Sequence, residues 1–256
     1  RQHTADASAT DVPALSVENL SDGQQLKDIN FSIQRGEIVG VAGLQGAGRD
    51  TLIDLLYGLK SAKKGRILLD GRVRRIRTPR QAIRAGMALV PRDRRHQGLI
   101  LNFSAADNIN LASMSDTAWM GWERRSLVLQ KARSWIERLS IRPGRPELAV
   151  RFMSGGNQQK VILARWLDTA ARLFILDEPT LGVDIGARSD IYQRTRQLAD
   201  QGRSVLVSSS DATELLGLCD RILVMWRGEL VADLSTNDLT LDALLASING
   251  GQEKQL

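Results

Sequence analysis

Cysteine is all but absent. Cys219 stands alone among 256 residues, which excludes an internal disulfide framework and points to the cytosol. Aromatic residues make up 4% of the chain, too few for the row of stacking rings that single-stranded nucleic acid requires. No apolar run approaches the roughly 18 residues of a membrane span. The apolar stretches are short, such as Leu173-Phe-Ile-Leu176. The opening Arg1-Gln-His-Thr-Ala-Asp-Ala-Ser holds no apolar stretch and does not read as a secretory signal. A start at Arg rather than Met leads to the expectation of a fragment or a processed product. Acidic residues are outnumbered, 29 against 35 Lys and Arg, for a formal charge of +6. That excess suits a protein that meets phosphates or an anionic surface. Arg72, Arg74, Arg75, Arg77 and Arg80 cluster, followed by Arg92, Arg94 and Arg95. Solvated hairpin and loop faces account for them, and no nucleic-acid partner is expected.

What is present reads as an ordinary globular chain, with 43% hydrophobic and 25% charged residues. Residues 1–13 are polar and aperiodic and read as a linker or tail, residues 251–256 as a second tail, and 14–250 as the folded domain. Strand patterns at Ala14–Val17, Ile29–Ile33, Glu37–Ala42, Gly86–Val90, Leu173–Leu176 and Ser204–Val207 alternate with helical ones. That alternation implies an α/β fold with a mainly parallel sheet. Hairpins are expected at Arg66–Leu69 with Val73–Ile76, around Asp70-Gly71, and at Ile222–Met225 with Leu230–Ala232. Asp211 and Glu214 form a capping-box-like helix start. Leu241, Leu244, Leu245 and Ile248 fall at helical spacing and predict a last amphipathic helix. The stretch from about 92 to 165 is mostly helical and reads as an inserted subdomain.

Three segments carry chemistry. Gly43-Leu-Gln-Gly46-Ala47-Gly48-Arg49-Asp50-Thr51 follows a buried strand and opens a helix, the setting of a phosphate-binding loop. Glycines let backbone N–H groups turn toward phosphate oxygens, and the helix start adds partial positive charge. A full loop of this kind has Lys at position 49 and Ser or Thr at 50; Thr51 comes one position late for the hydroxyl that meets Mg²⁺. A ligand-free strand-to-helix turn remains open for this segment alone. Leu173-Phe-Ile-Leu-Asp177-Glu178 is a buried strand with two carboxylates at its C-terminal end, the edge where open α/β sheets bind ligands. Asp177 could hold Mg²⁺ through water and Glu178 could polarise an attacking water, or the two could simply begin the next element. In Met153-Ser154-Gly155-Gly156-Asn157-Gln158-Gln159-Lys160, Ser154 can cap a helix whose first N–H groups stay free for an anion.

Ser154-Gly-Gly-Asn-Gln-Gln resembles the signature motif of ATP-binding cassette (ABC) proteins. It lies 23 residues before a Walker B-like Asp177 and about 100 after the Walker A-like loop. Leu181-Gly-Val-Asp184 resembles the D-loop, and Asp220–Met225 the strand beyond the switch-histidine region. Gly43-Leu-x-Gly-Ala-Gly-Arg, Val90-Pro-x-Asp-Arg94 and Gly98-Leu narrow the likeness to the second cassette of tandem bacterial sugar-importer ATPases, the ribose, xylose, galactose and autoinducer-2 class. The resemblance implies a P-loop NTPase with a RecA-like core, an antiparallel β subdomain and a helical subdomain.

It also implies a division of labour. Nucleotide would sit on Gly43, Gly46, Ala47, Gly48, Arg49, Asp50 and Thr51, with Asp177 and Glu178 as catalytic carboxylates, and ATP and Mg²⁺ as cofactors. Ser154, Gly155, Gly156, Asn157, Gln158 and the D-loop Asp184 would serve the ATP held by a second cassette, expected as the N-terminal half of the same native chain. The other implied partners are a membrane permease and, indirectly, a periplasmic sugar-binding protein, at the cytoplasmic face of the bacterial inner membrane. The departures lie in this chain's own site. Arg49 replaces the Walker Lys, Asp50 the Mg²⁺ hydroxyl, Arg92 the Q-loop residue and Ser210 the switch His, and no aromatic lies between Ala14 and Ile29. That site is therefore expected to be weak or inactive. The alternative is a non-catalytic interaction module that holds a partner cassette or permease without using nucleotide.

Overall fold

A computed structural model describes residues 12–119, 122–183 and 185–250. The expected tails fall almost wholly outside these. The chain runs β1 (Leu15–Ser21), β2 (Ile29–Ile33), β3 (Ile38–Ala42), α1 (Arg49–Tyr57), β4 (Lys64–Leu69), β5 (Arg72–Arg74), α2 (Pro79–Arg84) and β6 (Met87–Val90). A helical region follows with α3 (Ala105–Asn110), α4 (Met114–Thr117), a small ribbon of β7 (Ala118–Trp119) and β8 (Trp122–Glu123), α5 (Arg125–Arg138) and α6 (Gly155–Leu167). Alternation resumes with β9 (Leu173–Asp177), α7 (Ile185–Asp200), β10 (Ser204–Ser208), α8 (Ala212–Leu218), β11 (Arg221–Trp226), β12 (Glu229–Ser235) and α9 (Leu241–Gly250).

The central sheet has six strands in the order β12-β11-β3-β10-β9-β6. All its pairs are parallel except β11 with β12. Its inner strands are buried on both faces, which explains their unbroken apolar runs. Alternate residues point to two separate cores. Ile38, Ala42, Phe174, Leu176, Val205, Val207, Ile222 and Val224 join the core shared with the helical region. Val39, Val41, Leu173, Ile175, Leu206, Leu223 and Met225 join the other, with Leu52, Leu55 and Leu56 of α1. That second core is closed by an antiparallel sheet of order β2-β1-β4-β5. The arrangement puts the ends of β3, β9 and β10 at one edge, beside the start of α1.

Arg165 of α6 ties the helical region together. Its guanidinium is buried and donates to Gly98 O at 2.6 Å, Asn108 O at 2.8 Å and Asn108 Oδ1 at 3.2 Å. Burial pulls its pKa down to about 10. Among the described residues, no helix is long and apolar enough to cross a membrane.

Several local expectations are corrected. The second strand of the first hairpin ends at Arg74, because Ile76 turns inward to the β-side core instead of continuing the ladder. Arg72, Arg74, Arg75, Arg77 and Arg80 are all exposed. At α8, Asp211 accepts from the N–H groups of Thr213 and Glu214 at 3.0 and 3.2 Å. The Glu214 carboxylate does not close a capping box; it accepts from Ser209 Oγ at 2.5 Å. In α9 only Leu244 and Ile248 are buried, while Leu241 and Leu245 are 37% and 39% exposed and face a cleft.

Candidate functional site

The Gly-rich loop leaves β3 and delivers Arg49 at the first turn of α1. Gly48 is the N-cap residue with φ 110°, and no side chain caps the helix. A Cβ at Gly48 would come within 2.6 Å of Leu26 Cδ2, so the turn needs glycine for both its φ and its close approach. Ala47 O accepts from Gly228 N at 2.9 Å and Gly46 O from Gln25 Nε2 at 3.0 Å, which pins the loop from outside.

Arg49 then turns inward. It is 7% exposed, and its Nη1 donates to Glu178 Oε1 at 3.1 Å and Ser208 Oγ at 3.0 Å. Glu178, 8% exposed, also accepts from Ser210 Oγ at 3.1 Å through its other oxygen. Its φ of 48° lies in the left-handed region, an uncommon conformation for this residue type, and its N–H is held by Ser208 O at 2.8 Å. The carboxylate that would polarise an attacking water is thus already engaged by a guanidinium and a hydroxyl of its own chain.

A second ion pair lies beside the first. Arg92 Nη2 donates to Asp50 Oδ2 at 2.9 Å. The hydrogen bond from Arg92 to Asp50 raises the Arg92 pKa further, and Asp177 and Glu178 add to this at longer range. Asp177 sits at the end of β9 with Oδ1 buried and unpartnered. Burial raises its pKa to about 6, against the opposing pull of Arg92. Thr51 is turned away, its hydroxyl donating to Gln25 Oε1 at 2.7 Å.

These groups fit a magnesium ion poorly. A divalent cation wants open oxygen ligands. Asp50 is paired, Thr51 is committed elsewhere, burial disfavours the charged form of Asp177, and the Arg92 guanidinium pairs with Asp50 and feels the charges of Asp177 and Glu178. The water-mediated Mg²⁺ expected on Asp177 therefore has no suitable set of ligands here. Nor is there a surplus of positive charge for a triphosphate. Three carboxylates (Asp50, Asp177, Glu178) face two guanidiniums (Arg49, Arg92), a balance of −1.

Gly43, Arg49, Arg92, Glu178 and Ser210 line a common cleft of about 610 Å³, with Leu44, Leu181, Leu241 and Leu245 on its apolar side. None of Ser154, Gly155, Gly156, Asn157 and Gln158 lines it. They form a separate face at the start of α6. Ser154 occupies the N-cap position, but its hydroxyl accepts from Asn157 Nδ2 at 2.8 Å, so it caps no backbone N–H. Asn157 Oδ1 in turn accepts from Arg142 N at 2.7 Å, and the buried Gln158 donates to Val150 O at 3.0 Å. Asp184 lies outside the described residues.

Three residues here were not singled out as site residues from the sequence. Ser208 is the acceptor for Arg49, placed there by the parallel register that sets Ser208 beside Asp177. Gln25 bridges the loop and Thr51. Arg94 donates to Leu181 O at 2.6 Å and Gly182 O at 3.2 Å, and a Cβ on Gly155 would lie 2.6 Å from its Nη2. Arg94 thus holds the D-loop-like turn and packs close against the start of α6. The motif Val90-Pro-x-Asp-Arg94 was the one signal for it.

Residues 26–181 match the model of the ABC transporter family. The chain is 39% identical over 247 residues to the ribose import ATP-binding protein RbsA of Cereibacter sphaeroides, covering 96% of this chain and 49% of that protein. It is 42% identical over 231 residues to the RbsA of a Chelativorans species, covering 90% of this chain and 46% of that protein. The chain thus spans about half the length of the curated relatives it matches. The fold is similar to the dimeric, post-hydrolysis ATP-binding cassette MJ0796 bound to ADP and phosphate, with a TM-score of 0.74 at 20% identity over 88% of this chain and all of that one.

Proposed function

The chain belongs to the ABC transporter family, and from that membership we propose that it is one cassette of a carbohydrate-import ATPase whose working ATP is held by a second cassette. The observation that carries this reading is the contrast between its two faces. The own-site groups are satisfied by each other, Arg49 by Glu178 and Asp50 by Arg92. The face at α6 presents an exposed Ser154 at a helix start that no side chain caps. A helix start of that kind favours an anion, here the terminal phosphate of ATP bound with Mg²⁺ on the partner cassette. The dimeric state of MJ0796 and the double length of the ribose importers support pairing with a second cassette, in the native protein the N-terminal half of the same chain.

In this reading the chain's own site binds nucleotide weakly and hydrolyses little. The domain comprises residues 14–250, with the helical subdomain near 92–165 between the two halves of the core. The pair drives a membrane permease from the cytoplasmic face of the inner membrane and takes sugar delivered by a periplasmic binding protein.

The test is ATP turnover by the isolated chain and by the chain joined to its native partner cassette. The isolated chain is expected to stay well below about 1 s⁻¹, the lower end of ordinary enzyme turnover. The joined pair should turn over and lose that activity on Ser154→Arg. Turnover by the isolated chain at the rate of the pair would overturn the reading.

A further inference from the structure

The start of α6 and the turn after β9 lie in direct contact. A Cβ on Gly155 would stand 2.9 Å from Gly182 O and 2.6 Å from Arg94 Nη2. Neither approach leaves room for a side chain, so glycine at 155 is what lets the turn and the guanidinium come this near. Arg94 completes the contact. Its Nη1 donates to Leu181 O at 2.6 Å and its Nη2 to Gly182 O at 3.2 Å. The two carbonyls follow one another along the chain, and a planar fork reaches both at once. Nε is buried with no partner among the described residues, so the fork carries the polar interaction.

Arg94 is itself anchored on α6. It opens a short helical turn, Arg94–Gly98, whose entry is fixed by Asp93 accepting from His96 N at 3.0 Å. At the far end Gly98 O accepts from the buried Arg165 Nη1 at 2.6 Å, and a Cβ on Gly98 would stand 2.6 Å from Ile162 Cδ1. Arg165 and Ile162 belong to α6, the helix whose start carries Ser154 and Gly155. The segment from Asp93 to Gly98 is therefore a strut, with one foot on the middle of α6 and its tip on the turn at Leu181 and Gly182.

We propose that Arg94 is a positioning residue for the nucleotide held by the partner cassette. It locks the Leu181-Gly182 turn to the start of α6, so that both meet the partner as one rigid face. Its Nη groups are spent on carbonyls, not on a phosphate. The work is geometric, two carbonyls fixed by one planar group, and a point charge in the same place would not do it. This deepens the reading of the α6 face as the one that serves the partner's ATP and rests on it.

The experiment uses the chain joined to its native partner cassette, with Arg94→Lys and Arg94→Gln beside Ser154→Arg. Lysine keeps the charge and loses the fork; glutamine loses both. In both Arg94 variants kcat for ATP should fall by about tenfold to a hundredfold, the cost of a small misplacement. The partner's loop still holds the nucleotide, so KM should move by less than about threefold. A second readout needs no nucleotide. In the isolated 256-residue chain the N–H groups of Leu181 and Val183 are held within the turn by Glu178 O and Thr180 O, each at 3.1 Å. Their hydrogen exchange should quicken by about tenfold in both variants, while that of β9 and the middle of α6 stays as in wild type. Wild-type kcat in Arg94→Lys overturns the proposal, and so does exchange that quickens across the whole domain. Gly155→Ala drives a methyl group between Gly182 O and Arg94, and should reproduce the local exchange with the arginine intact. It decides the matter if the Arg94 variants do not fold, and unchanged exchange at Leu181 and Val183 then overturns the proposal. Ser154→Arg separates this inference from the reading beneath it. Turnover lost with Ser154→Arg and kept with Arg94→Lys strikes the positioning role and leaves the pairing. Turnover that survives Ser154→Arg strikes the pairing and this proposal with it.

Discussion

Replacing Glu178 by Gln isolates the buried pair that closes the own site. The substitution keeps the shape of the side chain and an oxygen for the Ser210 hydroxyl. It removes the charge that balances Arg49, which is buried and keeps only Ser208 Oγ. Breaking one partner of a buried pair costs about 3–5 kcal/mol. Because this pair opens on a cleft of about 610 Å³, water relieves part of that and leaves a loss of about 2–3 kcal/mol. For a domain of this size each kcal/mol moves Tm by roughly 2–4 °C, so the midpoint should fall by about 5–10 °C. Removing both charges, as Arg49→Met with Glu178→Gln, should recover to within about 1 kcal/mol of wild type. Circular dichroism melts and urea titrations of the two single variants and the double would measure this cycle. A single-variant shift below about 2 °C, or a double whose loss equals the sum of the singles, would refute the buried-pair argument.

Asp177 has a folded pKa of about 6, above the 3.8 of a free carboxyl. Its raised value favours the folded state when protonated, and that contribution is lost as pH rises from about 4 through 6. Asp177→Asn should accordingly raise Tm at pH 7.5, by a gain on the order of 2–3 kcal/mol, and the gain should shrink toward zero by pH 4; melts across that range would show a constant gain if the reasoning is wrong. Gly48→Ala places a methyl group against Leu26 at a positive φ and should cost about 1–3 kcal/mol in urea unfolding. Arg165→Met strips three buried hydrogen bonds from α6, one to Gly98 O and two to Asn108. It should destabilise by about 2–4 kcal/mol, seen as a lower urea midpoint.

The strands and the three motif segments could be read in the sequence because their signals are local. Leu173–Leu176 and Ser204–Val207 are apolar runs, and the turn after β3 is spelled out in glycines. Arg49, Asp50, Arg92 and Ser210 were legible as individual departures from the family pattern. What was not legible is that they complete one another. Arg49 meets Glu178 across 129 positions and Arg92 meets Asp50 across 42, contacts that exist only once β3, β10, β9 and β6 lie side by side. Helical spacing placed Leu241 and Leu245 on the apolar face of α9, but the width of the core beneath α9 decides burial, and it ends at Leu244 and Ile248. Ser154 was read as a cap from its residue type, whereas Asn157 one turn on competes for the same hydroxyl.

The central claim is that the face at Ser154, and not the site at Asp177, serves the working nucleotide. Sugar uptake by cells carrying Ser154→Arg or Asp177→Asn in the native full-length protein, with expression matched, tests it most directly. The account predicts near-complete loss of uptake for Ser154→Arg and less than a tenfold loss for Asp177→Asn, about 1.4 kcal/mol at most. Uptake that survives Ser154→Arg and is abolished by Asp177→Asn would contradict it.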